Sequence, residues 1–230
     1  PANGTSGAYQ TGYDVDGYGN VQYHTPADML PLGITLAFGY VPDMNDSGMS
    51  SAKDSGGTGT HETGRNLTMA NFSMAPIDGL SISGSAANTS NETGTSGNNG
   101  TEEGVSANLG AKYTIGNVSV GYVEGGYQPA VGSGELTYYE NRFYGIQFDV
   151  NDALSLSYNV DESEKNTRVA VAVGATAGTV TEVEMEQKSF QIAYTAGGAT
   201  IGVAQAEVSN SDYTAGRDEG QTIVSLAIAF

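Results

Sequence analysis

The chain has 230 residues, 38% of them hydrophobic, with 33 glycines, no tryptophan and no cysteine. The lack of cysteine excludes disulfides and thiolate metal sites, and no apolar run is long enough for a spanning helix, which excludes a helical membrane protein. A net charge of −18 with only 8 Lys and Arg argues against a nucleic-acid partner, because phosphate binding needs a basic surface. The composition leaves disorder, a secreted all-β protein, or a barrel with a polar interior.

Taken in chain order, the sequence alternates apolar and polar residues with period two, the signature of a sheet with two unlike faces. About eleven strands are predicted on this pattern, over residues 17–25, 33–41, 66–75, 80–88, 104–115, 118–127, 142–150, 154–160, 183–195, 199–208 and 220–230. In the second, Ile34, Leu36, Phe38 and Tyr40 alternate with Thr35, Ala37 and Gly39. In the fifth, Val105, Ala107, Leu109, Ala111 and Tyr113 alternate with Ser106, Asn108, Gly110 and Lys112. Tyr144, Ile146, Phe148 and Val150, then Leu154, Leu156, Tyr158 and Val160, repeat the pattern, as do Phe190, Ile192 and Tyr194. Residues 168–180 alternate Val and Ala and are ambiguous, compatible with a hairpin inside a long loop.

A soluble sandwich gives the same period, so the connections decide. Short links at 26–32, 76–79, 116–117, 151–153 and 196–198 alternate with long ones at 42–65, 89–102, 129–140, 161–182 and 210–219. All long links then lie at one end of the sheet, as in a transmembrane barrel with tight turns on one side and longer loops on the other. Tyr113, Phe148 and Tyr194 lie near short turns and Tyr40, Tyr122 and Tyr144 toward long loops, the placement of two aromatic belts. An odd number of antiparallel strands cannot close by hairpins, and open edges in lipid leave backbone groups unsatisfied. Further strands are therefore expected before the first.

Catalytic material is scarce. His24 falls in a strand and His61 in a Gly/Ser-rich loop, and neither stands in a recognisable nucleophile–base arrangement. Asp14-Val15-Asp16-Gly17 looks like a calcium-loop fragment, but the remaining ligands are not at the required spacing, and a solvated turn explains it as well. The long links hold Asp43, Asp46, Asp54, Glu62, Glu92, Glu102, Glu103, Glu135, Asp212, Asp218 and Glu219. These acids suit solubility, a vestibule that favours cations, or loosely bound divalent cations bridging to an anionic lipid surface. No resident cofactor or metal is expected.

Residues 221–230, Gln221-Thr222-Ile223-Val224-Ser225-Leu226-Ala227-Ile228-Ala229-Phe230, resemble the C-terminal targeting strand of outer-membrane proteins, carried by Val224, Leu226, Ile228 and Phe230. Residues 190–201, from Phe190 through Tyr194 and Gly197-Gly198 to Ile201, look like the last hairpin of general porins of Gram-negative bacteria, especially the alphaproteobacterial type. Tyr18-Gly19-Asn20-Val21-Gln22-Tyr23-His24-Thr25-Pro26 is similar to a strand that follows the pore-constricting third loop in that family.

The resemblance implies an all-β fold, a transmembrane antiparallel β-barrel of sixteen strands of which this chain is the C-terminal part. Residues 1–16 would then be the tail of the constriction loop, with Asp14 and Asp16 at or near the eyelet, and residues 17–230 the barrel. It implies a passive outer-membrane porin, not an enzyme, with lipid, small hydrophilic solutes and ions as partners and a homotrimer as assembly. An outer-membrane barrel hydrolase and a soluble extracellular adhesin are the alternatives. On the barrel reading Asn20, Gln22, His24, Asn108, Lys112, Gln147, Asp149, Asn159 and Gln191 line the pore. Lys112 lies between Ala111 and Tyr113, whose phase faces lipid, where a cation at mid-depth costs about 2–4 kcal/mol. It is expected to point inward as a positive post on the wall, or to snorkel near the turn Gly116-Asn117.

Overall fold

A computed structural model describes residues 20–26, 28–41, 64–91, 104–128, 135–169 and 180–228. They form one antiparallel sheet of eleven strands paired in sequence order, each strand hydrogen-bonded to the next. The strands are β1 (Val21–His24), β2 (Thr35–Val41), β3 (Gly64–Ile77), β4 (Leu80–Asn91), β5 (Gly104–Ile115), β6 (Val118–Gln128), β7 (Glu135–Asn151), β8 (Leu154–Val169), β9 (Val180–Ala196), β10 (Ala199–Ser209) and β11 (Glu219–Ile228). β1 and β11 are the two edges. They run in the same direction, so they cannot pair with each other as antiparallel neighbours.

The short connections are tight. Asp78-Gly79, Gly116-Asn117, Asp152-Ala153 and Gly197-Gly198 each join two long strands. Gly197 and Gly198 both hold positive φ (59° and 83°), the backbone that a two-residue hairpin needs to match strand twist and that glycine adopts without steric cost. The link after β1 holds a single 3-10 turn over Pro31–Gly33.

The register sorts side chains onto two faces. On one, Ala111 stands opposite Tyr122, Tyr122 opposite Tyr144, Ile146 opposite Tyr158, and Tyr158 opposite Phe190. These residues are exposed: Leu109 is 55% accessible, Ile146 47% and Leu226 63%. So broad an apolar surface is not tolerated in water and marks a face that meets another apolar phase. Tyr113, Phe148 and Tyr194 lie on this face beside short turns, and Tyr40, Tyr122 and Tyr144 toward the other end.

The sheet differs from the sequence expectation in strand length. β7 begins at Glu135 rather than 142, β8 runs to Val169 rather than 160, and β9 begins at Val180 rather than 183. The links expected at 129–140 and 161–182 are correspondingly shorter. Beyond Arg142 and Val160 the alternation turns into polar on both faces, so the pairs Glu140–Glu164 and Asn141–Ser163 carry no apolar signal although their backbones pair in register. Of the segment at 168–180, Arg168, Val169 and Val180 are strand residues and the rest lies outside the described residues.

A small core sits on the polar-phase face at the long-link end. Val41, Leu67 and Ala87 are buried there, with Met69 and Tyr127 packed against them. That face is therefore not polar along its whole length.

Candidate functional site

The candidate site is the polar face, built as rows of residues running across the strands. One row runs Ser119, Gln147, Ser157, Gln191, Ala204. The next runs Ser81, Lys112, Gly121, Gly145, Asn159, Ser189. A third runs His24, Ala37, Asn71, Ser85, Asn108, Gly125, Asn141, Ser163. Gln22 stands opposite Gly39 in the row above, and Asp149 opposite Ser155 in the row nearest the short turns. The parity of each strand thus brings eight of the nine expected wall residues to one face, and Asn20, just before β1, joins them by accepting a hydrogen bond from Gln22 Nε2 (3.2 Å).

These side chains are braced along and between strands. Asn108 Nδ2 donates to Ser85 Oγ (2.6 Å), Gln147 Nε2 to Asp149 Oδ1 (2.9 Å), and Gln191 Nε2 to Ser189 Oγ (3.5 Å). His24 Nε2 lies 3.2 Å from Gln22 Oε1, both exposed, with no serine in the contact. The residues between them are small. Ser81, Ser83, Ser119, Ser157, Gly121 and Gly145 leave a recess of about 440 Å³, which Lys112, Gln147, Asn159 and Asp161 also line. Asn159 lies across Gly145, whose missing side chain makes room for it. Lys112 has no ion-pair partner among the described residues.

Sequence reasoning missed several members of this face. Val123, Phe143 and Asp161 line the recess, and Tyr139, Asn141 and Ser163 continue the wall toward the long links. Asp161 shares the parity of Asn159 and could have been found by extending that strand. Ser163 falls where the sequence reads as loop, and Asn141 between the link expected at 129–140 and the strand expected from 142.

Charge pairs concentrate beyond the apolar band. Arg142 and Glu162 pair at 3.0 Å and Lys188 and Glu186 at 2.5 Å, all on the face that is apolar nearer the short turns. No group of three metal-ligating side chains occurs among the described residues. Asp14, Asp16, Asp43, Asp46, Asp54, His61, Glu62, Glu92, Glu102, Glu103 and Phe230 lie outside the described residues, as does the expected constriction-loop tail at 1–16. Of the terminal strand, Val224, Leu226 and Ile228 are on the apolar face and exposed.

No protein-family model matches the chain, and no curated protein matches its sequence. Solved structures do match its shape. An anion-selective porin from Comamonas acidovorans superposes with a TM-score of 0.62 at 14% identity, over 92% of this chain and 59% of that one. The fold is that of outer-membrane β-barrels. OmpT (in-vitro folded), an outer membrane protein of Vibrio cholerae, superposes with a TM-score of 0.55 at 11% identity, over 90% of this chain and 60% of that one. The chain thus spans about three-fifths of the length of these solved structures.

Proposed function

We propose that the polar face lines a water-filled channel through the outer membrane of a Gram-negative bacterium, and that the protein is a porin for passive diffusion of small hydrophilic solutes and ions. One observation carries this reading. A single sheet presents a broad exposed apolar face on one side, and on the other a wall in which serines, glycines and amides predominate around the recess, with a small core only at the long-link end. Lipid on one side and water on the other satisfy both faces at once. Among the described residues β1 and β11 each pair on one side only, which supports further strands closing the barrel. We place the eleven strands as the C-terminal part of a sixteen-strand porin of the general, alphaproteobacterial type, assembled as a homotrimer. The barrel-hydrolase alternative gains no support from His24, whose contact is an amide.

The net charge of −18 supports cation preference. The wall itself is nearly balanced, Lys112 and Lys165 facing the same side as Asp149 and Asp161, so the preference would arise at the acidic loops. Loosely held divalent cations bridging those loops to anionic lipid belong to the same reading. Planar-bilayer recording tests it. Discrete conductance steps are expected, with a zero-current potential in a salt gradient of the sign for cation flux. A folded, inserted protein that gives no steps overturns the channel. An anion-signed potential overturns the preference alone.

A further inference from the structure

The link between β10 and β11, residues 210–218, does not stand away from the sheet. It turns back over the polar face of β7–β9. Ser211 is 2% exposed, and its backbone N–H donates to Arg217 O at 2.7 Å. Asn210 fastens both ends of the turn: its Nδ2 donates to Glu184 O in β9 (2.8 Å), its Oδ1 accepts from Gly216 N (2.8 Å), and its N–H donates to Asp218 Oδ1 (3.2 Å).

Tyr213 makes the long-range contact. Ser163 Oγ donates its proton to Asn141 Oδ1 at 2.5 Å, which leaves its lone pairs to accept the Tyr213 hydroxyl at 2.7 Å. The Tyr213 ring lies 5.5 Å from that of Tyr139, which stacks in turn on Tyr127 at 6.0 Å, and Lys165 Nζ sits 5.8 Å from the Tyr213 ring centre. Asn210, Asp212 and Tyr213 hold φ of 52°, 53° and 54°. Asn and Asp tolerate this left-handed backbone, but tyrosine does so rarely, and such a conformation persists only where surrounding contacts over-determine it.

Arg217 stands at the exposed side of the turn. Its Nη1 binds Asp212 Oδ2 at 2.6 Å and its Nη2 binds Glu219 Oε1 at 2.8 Å. The turn thus carries a set of paired charges beside the polar face, against the long-link ends of β7–β9.

We infer that this turn is a built-in constriction of the channel mouth, latched by Tyr213 on Ser163 and Tyr139, and that Arg217 with Asp212 and Glu219 forms a charged rim past which solutes enter. The inference rests on the channel reading above. Arg217 and Tyr213 are thereby specificity-determining residues, since charge at a narrow entrance filters ions.

The test uses the natural full-length polypeptide reconstituted in lipid. Trypsin is expected to spare Arg217 in the wild type and to cut there in Tyr213→Ala, with Tyr213→Phe, which keeps the ring, cut more slowly than Tyr213→Ala. In single-channel recordings Tyr213→Ala is expected to raise open conductance roughly 1.5-fold or to add flicker, and Arg217→Gln to move the zero-current potential toward cation flux. Rapid cutting of the wild type at Arg217 overturns the latch. Protection of the wild type with unchanged conductance, noise and selectivity in every variant overturns the constriction. A wild type that resists trypsin but never conducts overturns the channel reading and leaves the latch standing, so the two failures are told apart.

Discussion

Arg142 and Glu162 form an ion pair at 3.0 Å on the same face of the sheet, and on the same two strands, as the apolar pair Ile146 and Tyr158. Between these pairs stands one row, Tyr144 opposite Val160. Within two rows the face changes from two pairs that each join an aliphatic to an aromatic residue to a charged pair. That change is the one expected on passing from an apolar phase to water. β7, β8 and β9 are the longest strands, with 17, 16 and 17 residues, and they carry the charged part of the face beyond the aromatic row. Of these, β7 and β8 supply, on their other face, Tyr139, Ser163 and Lys165, against which the Tyr213 turn is seated.

Adjacent residues of β8 should differ in what reaches them. Ser157 and Asn159 share the polar face, Leu156 and Tyr158 the apolar one. The chain has no cysteine, so single introduced thiols report cleanly. Ser157→Cys and Asn159→Cys in reconstituted protein should react with a small charged thiol reagent, while Leu156→Cys and Tyr158→Cys should react only after detergent disrupts the bilayer. Equal labelling of all four by mass spectrometry would show that the two faces do not meet different phases.

Lys112 projects beside the recess with no ion-pair partner among the described residues, flanked by Ser81 and Gly121. A lone charge beside a water path shifts the local ion concentration. Lys112→Glu should move the zero-current potential toward cation flux, and Lys112→Gln by a smaller amount in the same direction, both with unchanged folding by circular dichroism. If Lys112 instead snorkels out past the turn at Gly116-Asn117, neither substitution moves the potential.

The position of the apolar band yields a stability prediction. Ile146→Arg puts a cation into the middle of that face and should cost about 2–4 kcal/mol, whereas Glu162→Gln, above the aromatic row, should cost less than about 1 kcal/mol because an exposed pair contributes little. Urea unfolding in lipid vesicles measures both. Similar losses would place the Arg142–Glu162 row and the Ile146–Tyr158 row in the same environment.

How far the sequence reaches follows from what alternation can encode. β5 is legible to the residue, Gly104 to Ile115, because Val105 to Tyr113 alternate without interruption and Gly116-Asn117 marks the turn. The shared face of Asn108, Lys112, Gln147, Asn159 and Gln191 follows from strand parity once each strand is recognised. β7 and β8 are legible only below Arg142 and Val160, since above them Glu140, Asn141, Glu162 and Ser163 put polar groups on both faces and the period vanishes. The seat of Tyr213 is not legible at all. It depends on a contact with Ser163 across fifty positions and on left-handed backbone at a tyrosine, neither of which a local pattern reveals.

Two glycines of one row separate the effect of narrowing the recess from the effect of strain. A Cβ on Gly121 would come no nearer than 3.9 Å, to Ala111 O, so a side chain there enters open space. A Cβ on Gly145 would collide with Asn159 Oδ1 and approach Tyr158 O to 3.0 Å, so Asn159 must leave its place across the glycine and the backbone must yield. Overpacking of this kind costs about 1–3 kcal/mol. Gly121→Leu should therefore lower single-channel conductance with the unfolding midpoint in urea unchanged. Gly145→Leu should lower both. Retained conductance in Gly121→Leu would mean that ions do not pass along this wall, and a Gly145→Leu protein as stable as the wild type would mean that Asn159 is free to move aside.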